Sequence, residues 1–223
     1  MHYVLAKRRC SSDNACMAKY HFLKHLHTVN KHRFFVFLNC CRCGIPWRGF
    51  VHDLSKYSPK EFIISARNYS GKRSPIANER IEENGYSKAF IHHTRKNRHH
   101  YEYWVDVTLG DIVLSPMPYK FALECCCDII SASRVYNGKN FTRDLPLAFH
   151  NRVKDRSMMH SATKEFINEV LTRYKDSGFK NIKKRDTKAL YKETLAKYPI
   201  TEVIPVYSKE KKLEQQRFEF KPR

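Results

Sequence analysis

The segment from residue 119 to residue 137 is the clearest buried helix of the chain, and a carboxylate lies near its middle. Aromatic, aliphatic and cysteine side chains fill most of its positions, and Asp128 follows three consecutive cysteines. Burying an ionised carboxylate is costly unless a cation or hydrogen-bond donors meet it. We therefore expect Asp128 to contact a metal ion or to pair with an arginine, for which Arg33 and Arg134 are the candidates.

The rest of the pattern also predicts helices. Only 7 glycines occur in 223 residues, too few for a loop-rich β-sandwich or a Rossmann-type fold. Between residues 17 and 43, apolar side chains recur at steps of three and four, which is the spacing of one helix face. Ser58-Pro59 with Glu61 is the pattern of a capped helix start. The predicted fold class is all-α, with further helices at 47–55, 86–105 (broken near Lys96-Asn97), 161–176 and 186–198.

Length and charge indicate one domain with a basic end. We place a helical domain at 17–180, a basic C-terminal extension at 181–223 and a flexible segment at 1–16. After residue 180 the helical pattern loosens, with weak strand character at 201–207 and 217–220. The formal net charge is +20 at pH 7, which favours anionic partners such as nucleotides, nucleic acid or acidic membrane surfaces.

Hydropathy and cysteine usage predict a cytoplasmic location. We expect no membrane span, because no apolar run reaches about 18 residues, and the polar N-terminal residues do not resemble a signal peptide. Of the eight cysteines, Cys40 and Cys43 have a spacing typical of zinc ligands, but no second pair matches it. The prediction is therefore small buried thiols in a reducing compartment. The sequence does not define an oligomeric state.

Histidines and aspartates are distributed over several predicted helices in an order that favours a metal site. His32 lies on the first long helix, His52-Asp53 ends a short helix, and Asp128 lies on the buried helix. At a helix end an adjacent histidine and aspartate can both reach one ion. Imidazole nitrogen and carboxylate oxygen together suit manganese, iron, cobalt, zinc or, with more oxygens, magnesium.

This order resembles the HD-domain superfamily of metal-dependent phosphohydrolases, which is named after its His-Asp pair. The string from Val51 to Lys56 is similar to the apolar-His-Asp-x-x-Lys variant of that motif. The resemblance implies an HD-domain-like helical bundle. His21 and His25 lie on nearly the same helix face as His32, so either could replace it as the first ligand. His32 is preferred because Arg33 and Val36 follow it much as in HD proteins.

Two longer strings carry a second similarity, to a family of small, mostly bacterial HD-like proteins from which no activity can be transferred. These strings cover residues 52–59 and 99–104.

Additional histidines fall between the His-Asp pair and Asp128, as in HD proteins that bind a second metal. His92 and His99 are seven residues apart, as are His93 and His100, so each pair would share a face of an unbroken helix. The resemblance implies that Asp53 bridges to a second ion held by His93 and by His99 or His100.

The resemblance also implies roles for the charged residues near these ligands. Asp53 and Lys56 would be catalytic, with Lys56 neutralising a phosphate oxygen. Arg95, Lys96 and Arg98 would hold the rest of an anionic substrate. Glu102 would accept a hydrogen bond from a ligand imidazole or remain a surface carboxylate.

The predicted function is hydrolysis of a nucleotide or another phosphate ester with one or two divalent ions (Mn, Fe, Co, Mg or Zn). One alternative is a nucleic-acid-binding protein on an HD-like scaffold, in which Tyr101, Tyr103 and Trp104 stack on bases. Another is a di-iron oxygenase-type HD protein. The sequence contains no phosphate-binding glycine loop, nucleophile elbow or His-Glu-x-x-His motif, which makes other hydrolase classes less favoured.

Overall fold

Helices dominate this computed structural model, which describes residues 21–108 and 110–206. The α-helices of these ranges are α1 (Phe22–Arg42), α2 (Pro46–Val51), α3 (Pro59–Arg67), α4 (Pro75–Glu82), α5 (Lys88–Lys96), α6 (Tyr119–Asn137), α7 (Leu145–Val153), α8 (Ser161–Ser177) and α9 (Lys184–Ala196). Short 3₁₀ turns at Leu54–Tyr57 and Tyr101–Trp104 extend two of the connections. The predicted all-α class is confirmed. The predicted flexible segment 1–16 and the strand character at 217–220 lie outside the described residues.

The core forms around α6, which contacts α1, α2, α7 and α8. Leu123, Cys126 and Cys127 of α6 are fully buried and pack with Val36 of α1 and Phe166 of α8. The predicted bounds of this helix, 119–137, agree with α6. Several neighbouring helices bury this almost continuous apolar stretch. Its pattern could therefore be predicted from the sequence.

Four of the cysteines are buried core residues. Two lie at the C-terminal end of α1, Cys40 and Cys43, and two lie on α6, Cys126 and Cys127. The Sγ atoms of Cys43 and Cys127 are 3.7 Å apart. Their thiols are free. Burial raises the pKa of the Cys126 thiol well above its usual value, so it stays a neutral, apolar packing group.

A glycine sets the close approach of α2 to α1. A Cβ atom at Gly49 would lie 2.8 Å from both Cα of Phe37 and Cβ of Cys40. A larger residue would therefore push the two helices apart. Because α2 ends immediately before His52 and Asp53, this contact fixes where those two side chains enter the structure.

A small antiparallel sheet completes the fold, with strands β1 (Val105–Val107), β2 (Asp111–Leu114) and β3 (Glu202–Pro205) in the order β1-β2-β3. The strand character at 201–207 agrees with β3, whereas the β1-β2 hairpin was not predicted. Ile182 and Leu190 belong to the same core as α6. The proposed division into domains at residue 180 stays a prediction.

Two local expectations need correction. The helix predicted at 86–105 is α5 alone, which ends at Lys96, near the expected break; the chain then forms a 3₁₀ turn and β1. Ser58 precedes α3 but its side chain makes no capping hydrogen bond, and the predicted capping box is wrong. Glu61, the expected capping partner, points instead to two imidazoles of α5.

Candidate metal centre

Three elements bring the first donor set together. Nε2 of His32 on α1 lies 3.0 Å from Oδ1 of Asp128 on α6 and 3.4 Å from Nε2 of His52, which follows α2. These donor atoms lie within 4.8 Å of one another. Asp128, the carboxylate of the apolar helix, therefore faces the paired His-Asp.

The backbone turns sharply at Asp53, which makes the adjacent His52 and Asp53 converge. Asp53 has φ 53°, in the left-handed region that aspartate tolerates better than most residues. Its Oδ2 atom lies 3.2 Å from Nε2 of His52 and 3.9 Å from Nε2 of His32. A regular helix would direct neighbouring side chains apart, so the left-handed turn is what places the Asp53 carboxylate beside the first donor set.

The second oxygen of Asp53 faces a second donor set. Oδ1 lies 3.4 Å from Nε2 of His93 and 3.4 Å from Nε2 of His99. Nε2 of His93 in turn lies 2.9 Å from Nε2 of His100. Both His99 and His100 enter the site because the helix ends at residue 96, whereas an unbroken helix would have pointed them in different directions.

The distances in both sets fit a cation of ordinary size. Ligand atoms about 2.1 Å from a tetrahedrally bound metal lie roughly 3.4 Å apart. The observed separations run from 2.9 Å between His93 and His100 to 3.9 Å between His32 and Asp53. Oδ1 of Asp53 and both ring nitrogens of His99 are buried and make no hydrogen bond, whereas Oδ2 of Asp53 is contacted by Nε2 of His52 and by the Lys56 ammonium. Buried polar atoms without partners are expected where a bound ion completes the site.

Glu124 orients two of the imidazoles by contacting their Nδ1 atoms, while their Nε2 atoms face the donor sets. Its Oε1 atom accepts a hydrogen bond from Nδ1 of His52 at 3.0 Å and lies 3.4 Å from Nδ1 of His99. A proton held on Nδ1 leaves the lone pair on Nε2, the atom that faces the donor sets. Nε of Arg48 donates to the other oxygen of Glu124 at 2.7 Å. With that guanidinium in place, we read the His52, His99 and Glu124 group as an orienting contact rather than a third metal site.

Glu61 plays the equivalent part for the second donor set. Its two oxygens accept from Nδ1 of His92 at 2.7 Å and from Nδ1 of His93 at 2.9 Å. His93 thus presents Nε2 to Asp53 and His100. His92 is turned to the outer side of this contact and does not belong to either donor set.

Carboxylates outnumber permanent cations around these imidazoles. Burial by itself acts to lower the pKa of His52, but the charges of Asp53 and Asp128 and the hydrogen bonds to Asp53 and Glu124 raise it to about 10. Burial acts to raise the pKa of Glu124, yet the two imidazoles lower it to about 2. A negative field of this kind favours any cation placed between the carboxylates.

Lys56 is the charged residue nearest to the donor sets. Its Nζ atom lies 2.7 Å from Oδ2 of Asp53. Arg98 instead lies over the rings of Tyr103 and Phe121. Within the described ranges, neither Arg95 nor Lys96 makes an ion pair with a site residue, so the substrate-binding role of these three residues stays a prediction.

His21 and His25, the alternatives to His32 as the first ligand, lie away from the donor sets. His25 is buried against the rings of Phe62 and Tyr69, and His21 lies 6.2 Å from the ring of Tyr69. Neither residue belongs to a donor set in the described part of the chain. Only His32 on this helix face reaches Asp128.

The arginines proposed as alternative partners of Asp128 are engaged elsewhere. Arg33 donates to the carbonyl oxygens of Phe50 and His52, and Arg134 lies over the ring of Phe35. Asp128 therefore pairs with His32 instead of an arginine.

Glu102 is close to the site, but its Oε2 atom makes no hydrogen bond to the nearby imidazole of His100. Its Oε2 atom lies 3.9 Å from Nδ1 of His100, beyond ordinary hydrogen-bond length. Burial raises the pKa of its carboxyl group. Its role as an acceptor for a ligand imidazole stays a prediction.

Sequence reasoning missed the two orienting carboxylates, Glu124 and Glu61. A signal for Glu124 existed, because it precedes Asp128 by four residues and so shares its helix face. Glu61 gave no such signal, since a glutamate at this position after Ser58-Pro59 has an ordinary capping explanation. Only the packing of α3 against α5 reveals its contact with His92 and His93.

The chain belongs to a family of unknown function, DUF5662, whose model matches residues 21–173. That range contains every donor atom described above as well as Glu61 and Glu124. No match was found among curated proteins or among solved structures. No helix in the described ranges is long and apolar enough to cross a membrane.

Proposed function

We propose that the protein is a metal-dependent phosphohydrolase that acts on a nucleotide or another phosphate ester. The observation that carries the proposal is the position of Asp53, whose two oxygens face two separate sets of imidazole nitrogens. A bridging carboxylate is typical of paired-metal hydrolytic sites. The resemblance of the His32, His52-Asp53, Asp128 order to HD-domain phosphohydrolases supports the same reading.

Each donor set contributes a defined group of residues. His32, His52, Asp53 and Asp128 would hold a first ion. Asp53, His93, His99 and His100 would hold a second. Divalent ions supply Lewis acidity toward a phosphoryl group, and the metal is proposed as manganese, iron, cobalt, magnesium or zinc.

The partly exposed members of the centre define the side from which substrate enters. The side chains of Asp128, Lys56 and His100 are 19%, 28% and 23% exposed, whereas those of His52 and Asp53 are fully buried. An anionic substrate approaching this side meets the Lys56 ammonium first. Lys56 then neutralises a phosphate oxygen, while Glu124 and Glu61 keep the imidazoles in place.

Metal analysis combined with a phosphatase panel tests the proposal. The purified protein should contain divalent metal and should hydrolyse nucleotides or model phosphate esters with manganese, cobalt or magnesium added. Asp53→Ala and Asp128→Ala should each lose both properties, whereas Asp176→Ala, which removes an exposed carboxylate on α8, should keep them. Unchanged metal content in both site variants would refute the assignment.

The other functions considered predict different results in the same preparation. A di-iron oxygenase-type protein would show visible absorption that a hydrolase loaded with zinc or magnesium lacks.

A nucleic-acid-binding protein would bind oligonucleotides without turnover. Tyr101 and Trp104 pack against the core, and the ring of Trp104 donates its N–H to the carbonyl of Arg98. Only Tyr103 of this segment is exposed, so stacking of several bases here is disfavoured.

A further inference from the structure

An exposed aromatic surface covers the outer side of α1 and α2, away from the donor atoms of the metal centre. Phe34, Phe37 and Phe50 line one groove of about 440 Å³, with Tyr57 at its margin. The ring of Trp47 stacks on that of Phe50 at 5.6 Å. We call these five side chains, Phe34, Phe37, Trp47, Phe50 and Tyr57, the aromatic patch.

The patch is unusually exposed for side chains of this kind. Trp47, Phe50 and Phe34 are 69%, 59% and 58% exposed. Large aromatic side chains bury on the order of 150–250 Å² each when covered, so the patch leaves a few hundred Å² of apolar surface in water. Contiguous apolar surface of this size on a monomer commonly marks an interaction site.

The stretch of chain that carries the patch has exposed charge of one sign. Between residues 21 and 60 the only carboxylate is Asp53, which is fully buried in the metal centre. The other charged side chains of this stretch are basic. Lys31 lies one helical turn before Phe34, and Lys24 is seven residues before Lys31, on the same side of α1. Exposed aromatic rings are therefore accompanied by exposed ammonium groups, and this stretch of chain adds no exposed carboxylate.

We propose that the aromatic patch is a docking surface for a lipid bilayer that contains anionic lipids. Aromatic side chains, tryptophan above all, partition into the interface between lipid headgroups and acyl chains. Lysines beside them gain from the negative potential of an anionic leaflet. Binding here holds the protein on the bilayer surface, and it does not depend on the activity proposed for the metal centre.

Two other occupants fit the surface less well. A second copy of the chain related by twofold symmetry would place this basic surface against itself, so that like charges would oppose each other. A nucleic acid would satisfy the lysines, but it needs aromatic faces free for base stacking. Trp47 and Phe50 stack on each other, which covers one face of each ring and reduces the area left for bases.

Co-sedimentation of the full chain with vesicles tests the proposal. Binding should be strong to vesicles of phosphatidylcholine with about one third phosphatidylserine and weak to phosphatidylcholine alone. The double variant Trp47→Gln/Phe50→Gln should reduce binding at least tenfold. The matched control Ile81→Gln/Ile200→Gln, which removes two exposed apolar side chains from other surfaces, should bind as the wild type does.

Tryptophan fluorescence supplies a second measurement that reports on the patch directly. The chain has only two tryptophans, and Trp104 is packed beside Phe121. Anionic vesicles should shift the emission to shorter wavelength, and Trp47→Phe should remove that shift while leaving vesicle binding nearly intact. A shift that persists in Trp47→Phe would mean that the aromatic patch does not enter the interface.

The basic residues are tested separately. Lys24→Gln/Lys31→Gln should weaken binding roughly fivefold for each charge removed, whereas Lys175→Gln/Lys192→Gln, on α8 and α9, should have a smaller effect. Three results would overturn the proposal: no binding to anionic vesicles, equal losses in the patch variant and its apolar control, or a concentration-dependent dimer that Trp47→Gln/Phe50→Gln dissociates. Binding of an oligonucleotide in competition with vesicles would likewise reassign the surface.

Discussion

The protein contains two kinds of buried histidine, and their surroundings differ more than their burial does. His52 and His99 are about as inaccessible as His150 and His160. However, Nε2 of His150 donates to the carbonyl oxygen of Lys164, and Nε2 of His160 donates to that of Pro199. The imidazoles of His52 and His99 instead lie between Glu124 on one side and Asp53 on the other.

Burial alone therefore does not distinguish a metal ligand from a packed histidine. A backbone carbonyl uses one ring N–H without bringing a carboxylate into hydrogen-bond contact with the ring; the Glu202 carboxylate lies 3.9 Å from Nδ1 of His160. Opposed carboxylates on both sides of an imidazole fix its tautomer and create a field that a cation can satisfy. The comparison between the two kinds of histidine is experimentally accessible, because each kind can be changed without touching the other.

The largest effect is expected from replacing one histidine of each kind. His52→Asn should remove bound metal and should lower phosphatase activity by at least about 100-fold, the upper end of the losses caused by outer-shell changes. His150→Asn should keep the wild-type metal content per folded chain. Elemental analysis of both purified variants, together with circular dichroism, measures the difference. Equal metal loss in a folded His150→Asn protein would contradict the distinction.

The second effect concerns the carboxylate behind the ligands. Glu124→Gln keeps the size of the side chain but replaces one carboxylate oxygen with an amide NH2 group. That group then faces a hydrogen-bond donor, either Arg48 or an imidazole N–H. We expect metal affinity to fall by about 10–100-fold, measured by competition with a chromophoric chelator. Glu165→Gln is the control, because Glu165 pairs with Lys197 and Tyr198 on the surface. An unchanged affinity in Glu124→Gln would show that Glu124 stabilises the fold only.

The helical class and part of the donor set could be predicted from the sequence for identifiable reasons. The apolar segment at 119–137 specifies a buried helix almost by itself, and a carboxylate inside it needs a partner. His93 and His100 were paired through seven-residue spacing, and their Nε2 atoms do lie 2.9 Å apart. The helix that justified this pairing ends between them, so the contact arises from a different backbone path.

Other parts of the centre depend on tertiary packing and could not be predicted in this way. The left-handed turn at Asp53 is formed by an aspartate and not by a glycine, so the sequence did not mark it. Glu61 has a satisfactory local explanation as a capping residue, which the packing of α3 against α5 overrides. The β1-β2 hairpin was not predicted, because its connection is longer than the usual two-residue turn and Gly110 within it was not interpreted as a turn signal.

A third effect follows from metal removal. An ion present at 100 times its dissociation constant stabilises the folded state by about 2.7 kcal/mol. For a chain of this size, chelation should then lower the midpoint of thermal unfolding by roughly 5–10 °C. Asp53→Ala should show no shift on chelation, whereas His150→Asn should show the full shift. Scanning calorimetry with and without chelator measures both. A shift of the same size in Asp53→Ala would place the stabilising ion elsewhere.

The last effect is a pH dependence that belongs to the packed histidine. Burial lowers the pKa of His150 to about 4, against an ordinary value of 6.5. Between these two values the unfolded chain binds a proton that the folded chain does not, so the free energy of unfolding decreases as pH falls from about 6.5 to 4. The stabilisation is fully present above pH 6.5, and its loss approaches about 3 kcal/mol at pH 4.

His150→Gln isolates this contribution, because glutamine can still donate to the carbonyl of Lys164 but does not titrate. Urea unfolding of both proteins between pH 7.5 and 4, with chelator present, should give a difference in stability that shrinks as pH falls. Since the ligand histidines are unchanged in both proteins, their own titration cancels in the difference. A constant difference across this range would mean that the pKa of His150 is the same in the folded and unfolded chains, so that burial does not lower it.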